Sequence, residues 1–164
     1  MFRFLALLGV TTSLALAAVA TAAAAVSGSY LASGIETSVP TNNTSTFSGF
    51  AVGSQGDGAL WKASVVHDPL SSCPFGSGSS CAVTGGTFSL TSSAGAVAGT
   101  FTGGSVTPIS QQEPCGAQVF GVAGTLATTN GNAAFTATLT HYRALLFGRC
   151  ITFFATINGS LQFA

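Results

Sequence analysis

The chain reads as an all-β protein, a single antiparallel up-and-down (meander) barrel of about eight strands, with a two-sheet β-sandwich as the alternative. Three observations carry this reading. Apolar and polar residues alternate with period two over long stretches. Glycine-rich turns separate those stretches. Residues that favour exposed helices are scarce, with Lys+Arg 4 and Asp+Glu 4 in 164 residues against Gly 21.

The alternation is clearest at the C-terminal end. From Arg149 the odd positions run through Ile151, Phe153, Ala155, Ile157, Gly159, Leu161 and Phe163, and the even ones through Cys150, Thr152, Phe154, Thr156, Asn158, Ser160 and Gln162. Phe135, Ala137 and Leu139 likewise oppose Thr136, Thr138 and Thr140. Side chains two apart share a strand face, so each pattern describes one buried and one solvated side. Asn130-Gly131 predicts a type I′ hairpin between this strand and the one before it.

Extending the pattern backwards predicts strands over Gly28–Glu36, Thr46–Val52, Ala59–His67, Ala82–Thr91, Ala96–Val106, Ala117–Thr128, Ala133–Leu145 and Arg149–Phe163. Their apolar faces predict a core that includes Phe50, Val52, Trp61, Val65, Phe120, Leu126, Ile151, Phe153 and Leu161. Closing the sheet removes edges that a chain so poor in charge has few gatekeepers to protect.

Ahead of these strands, residues 1–25 have the pattern of a secretory signal peptide. Arg3 supplies the charge, an apolar run follows to about Ala20, and Ala18-Val19-Ala20 or Ala23-Ala24-Ala25 offers a cleavage frame. The expected division is therefore a leader over 1–25 and a β-barrel domain over 26–164, secreted, extracellular or periplasmic. Beyond the leader Lys62, Arg143 and Arg149 face Glu36, Asp57, Asp68 and Glu113, three positive charges against four negative. That balance carries no electrostatic footprint for nucleic acid. A membrane partner is not expected once the leader is removed.

The cysteines fit an oxidising compartment. Cys73, Cys81, Cys115 and Cys150 are even in number and allow three connectivities, of which Cys73–Cys81 with Cys115–Cys150 is the most economical. No closely spaced Cys or His pairs suggest a metal site, and no cofactor motif is present.

In an up-and-down topology all four cysteines fall at the end with the long connections. His67, His141, Arg143 and Arg149 gather there too, along the apolar face. Arginine suits bidentate binding of a carboxylate or phosphate, so these four residues are the candidate contact set for a small anionic or apolar ligand. Catalytic signatures are missing. His67 and Asp68 are adjacent and point to opposite faces, and there is no nucleophile elbow or zinc helix. The expectation is a non-catalytic binding or structural module outside the cell. The alternatives are an eight-stranded outer-membrane barrel with its apolar face outward, and a small extracellular enzyme using the rim histidines.

Overall fold

The computed structural model describes residues 26–38 and 43–164, and the expected leader and its cleavage frames lie outside them. Eight strands follow one another: β1 (Ser29–Glu36), β2 (Thr44–Gly53), β3 (Gly58–His67), β4 (Cys81–Ser92), β5 (Gly95–Gln111), β6 (Gln118–Thr128), β7 (Gly131–Leu146) and β8 (Arg149–Phe163). A 3-10 turn at Leu70–Ser72 stands between β3 and β4. Each strand pairs antiparallel with the next, and β1 pairs with β8 to close the barrel. The meander barrel forms, and the two-sheet sandwich does not.

The interior is the apolar face. Trp61, Leu90, Phe101, Phe120, Leu126 and Leu161 are among its buried side chains. Thr136, Thr138 and Thr140 alternate with inward Phe135, Ala137 and Leu139, so the threonines point outward. This is the reverse of a barrel that turns its apolar face to lipid. An eight-stranded barrel has an interior just wide enough to be filled by side chains or one small molecule.

Four residues expected in the core are on the outside. Phe50 and Val52 are exposed, while Phe47 and Ala51 are buried in their place. The reason is Trp61. In the β1–β2–β3 register Gly34 pairs with Gly49 and Gly49 with Trp61. A Cβ on Gly34 would stand 2.5 Å from Cζ2 of the indole. The large ring fits only over glycine, and this fixes the odd positions of β2 inward and sends Phe50 and Val52 out. Ile151 and Phe153 are also exposed. The β7–β8 register slips between Tyr142 and Arg143, and beyond it neither strand has its other neighbour. β6 pairs with β7 only as far as His141, and β1 with β8 only from Thr156 onward. Residues 142–154 thus form a two-stranded arm beyond the closed barrel, where period two no longer separates inside from outside.

The turns differ from expectation in one respect. The β6–β7 hairpin forms, but Thr128 pairs with Gly131, so Thr129 and Asn130 are its central residues. Only Gly131 has positive φ, and the turn is not type I′. Positive φ at both central residues occurs instead at Phe147 (51°) and Gly148 (73°), the tip of the arm. β5 also runs further than predicted, to Gln111. It accommodates Pro108 beside a register shift, where a missing N–H costs little.

The two ends of the barrel are closed differently. At the short-turn end Val26 is buried beneath the strands, and its carbonyl accepts a hydrogen bond from Asn130 Nδ2 at 3.2 Å. Tyr30 packs edge-on against Phe163 and donates its hydroxyl proton to Asp57 Oδ2 at 2.6 Å. At the long-loop end the β3–β4 connection folds over the mouth. Leu70 and Phe75 pack against the core, and Phe75 meets the ring of Phe120 at 5.1 Å.

Both disulfides lie at this end. Cys73–Cys81, with Cα atoms 5.4 Å apart, pins the covering loop to the start of β4. Cys115–Cys150, at 5.5 Å, ties the β5–β6 loop to the arm. This is the connectivity expected from the sequence.

Candidate functional site: an interior cavity with a polar end

The barrel encloses a cavity of about 90 Å³. Its wall is almost wholly apolar, with Trp61, Phe47, Phe88 and Phe120 among its larger side chains. Small residues create the space. Ala32, Ala63 and Ala137 occupy inward positions where larger side chains would fill the lumen. The main exceptions to the apolar wall are Ser45, His67 and His141, each less than one-tenth exposed.

The two histidines arrive from opposite sides. His67 is the last residue of β3, on the inward phase shared by Trp61 and Val65. Its Nδ1 lies 2.7 Å from the carbonyl oxygen of Asp68. A carbonyl only accepts, so Nδ1 carries the proton, and in the neutral ring Nε2 is left with its lone pair. Its backbone N–H is anchored to the Asn43 carbonyl at 3.0 Å. Ser45, on the inward face of β2, pairs with Val65 and is therefore the diagonal cross-strand neighbour of His67.

His141 ends the barrel part of β7. Its Nε2 lies 3.0 Å from Glu36 Oε2, and both side chains are more than nine-tenths buried. Alternation explains the meeting. Tyr30, Ala32, Gly34 and Glu36 share the inward phase of β1. One step past the Ile35–Thr156 pair, Glu36 comes level with Ala155, whose other neighbour is His141. The small Ala155 lets the two longer side chains reach across it. The contact is electrostatic rather than a well-aligned hydrogen bond, and Glu36 Oε1 is buried without a partner. Glu36 was legible as an inward residue from this phase, but a single acidic residue at a strand end carries no signal of its partner six strands away in sequence.

The arginines stand elsewhere. Neither Arg143 nor Arg149 lines the cavity. Arg143 lies on the arm, where Nε donates to the Gly116 carbonyl at 3.0 Å and braces the β5–β6 loop. Arg149 is exposed near the arm tip. The structure thus brings together His67 and His141 of the candidate set, adds Ser45 and Glu36, and leaves both guanidinium groups outside. Among the described residues no cluster of potential metal ligands occurs. Compared with protein-family models, curated proteins and solved structures, the chain gives no match.

Proposed function

We propose that the protein is a secreted, disulfide-stabilised barrel that binds a small, mainly apolar molecule in its interior and does not transform it. The observation that carries the reading is the mainly apolar cavity inside the barrel, about 90 Å³, with Ser45, His67 and His141 gathered at its long-loop end. Ligand sites characteristically combine an apolar wall with a few placed polar groups. The two disulfides are compatible with an oxidising compartment and agree with the expected leader. The displaced arginines and the buried Glu36 carboxylate favour an uncharged ligand over an anionic one.

Size narrows the class. An apolar cavity of ~150 Å³ holds benzene, so this one, at about 90 Å³, suits a compact molecule of roughly three or four non-hydrogen atoms. Trp 1 is the chain's complement of tryptophan, and its ring lies against the cavity, which provides an intrinsic reporter. Titration with small apolar probes such as propane is expected to shift Trp61 emission saturably. Ala137→Leu, which fills the cavity, should weaken that response by about tenfold or more while the chain stays folded. An emission that never saturates, or that is indifferent to Ala137→Leu, refutes interior binding.

A further inference from the structure

We infer that the cavity's ligand carries one hydroxyl group, held between Ser45 and His67, on an apolar body of short-chain-alcohol size. The inference rests on the interior-binding reading and specifies the ligand's chemistry.

Two polar groups at the cavity lack partners within the protein. Ser45 and His67 are 5% and 7% exposed. Among the described residues the Ser45 hydroxyl and the His67 Nε2 make no hydrogen bond to protein. Neither atom is among the buried ones left without a partner, so each keeps some accessible surface. Both residues line the same cavity, so a guest there can meet both, and a guest without polar groups would deprive them of the hydrogen bonds that water gives.

Their chemistry selects the complement. Nδ1 of His67 is committed as donor to the Asp68 carbonyl, so Nε2 of the neutral ring only accepts. Ser45 offers a rotatable O–H that donates or accepts. One hydroxyl on a ligand meets both, giving its proton to Nε2 and accepting one from Ser45. A ketone or ether has no proton for Nε2. A carboxylate finds no guanidinium in the cavity and faces the buried Glu36 carboxylate beside His141. An ammonium meets an apolar wall that penalises a buried charge. Beyond the polar end the lining is apolar, so the remainder of the ligand is hydrocarbon.

The test compares ethanol with propane, which match in heavy-atom count and differ in the hydroxyl. Binding is read from Trp61 emission and from ligand-observed NMR, on the oxidised protein and on two variants, Ser45→Ala and His67→Phe. Each variant is expected to weaken ethanol binding about tenfold, and to leave propane within about threefold of the parent value. Should His67→Phe fail to fold, Ser45→Ala carries the comparison alone. If propane binds and the variants leave ethanol unaffected, the hydroxyl assignment is overturned and interior binding survives. If neither probe enters, both readings fall, and the two polar groups hold only water.

Discussion

The Tyr30 hydroxyl sits at the short-turn end, where its side chain is enclosed and its proton is held by the Asp57 carboxylate. Burial, then the hydrogen bond to Asp57, push its pKa from 10.0 up to about 12. The folded chain therefore keeps a proton that the unfolded chain gives up first. The stabilisation is complete below pH 10 and is lost as the pH rises through about 12. Denaturant midpoints measured from pH 8 upward are expected to fall across this alkaline window, and to fall less in Tyr30→Phe. Other residues show what one sequence can reveal. Trp61, Phe120 and Leu126 were legible as core because each is large, apolar and in phase with apolar neighbours. Phe47 and Ala51 were not, since bulk alone favours Phe50 and Val52. Only the need of Trp61 for bare backbone at Gly34 reverses that choice, and this is a contact between β3 and β1, which do not pair.

At the scale of elements, period two located all eight strands, and the last was placed at Arg149–Phe163 as observed. The limits of the barrel were less legible than the strands. β7 and β8 continue their pairing past His141 and Ala155, so nothing local marks where β6 and β1 stop accompanying them. The arm beyond this point ends in a turn that demands left-handed backbone at both central residues, and Phe147 occupies one of them while fully exposed. A bulky L-residue pays about 1–2 kcal/mol there, whereas asparagine tolerates the conformation. Phe147→Asn is expected to raise stability by up to about 1 kcal/mol, seen as a higher urea midpoint with an unchanged slope. The candidate site was half legible for the same reason. Strand phase put His67 and His141 on the inner face. The place where barrel becomes arm, which excludes Arg143 and Arg149 from the cavity, lies in the pairing of strands distant in sequence.

Across the whole molecule, closure turns a sequence of amphipathic strands into a container. Each inward face is shared by all eight strands, so the alanines on β1, β3 and β7 add up to one space rather than separate defects. The described charges are few, and Glu36 and His141 meet at 3.0 Å. With so weak a field, the neutral ligand proposed above would approach by diffusion with little steering from charge.

The loop held by Cys73–Cys81 covers the mouth of the proposed site. Its Leu70 and Phe75 pack on the core there, and apart from Leu70 the residues lining the cavity belong to the strands. Severing that sulfur link lets the seal swing more freely in both directions. Arrival and departure of ethanol should therefore quicken together in Cys73→Ser/Cys81→Ser, with the equilibrium constant nearly unchanged. Stopped-flow traces of Trp61 emission would separate the two quantities, and a large loss of affinity at constant exchange rate would show the loop to be part of the grip.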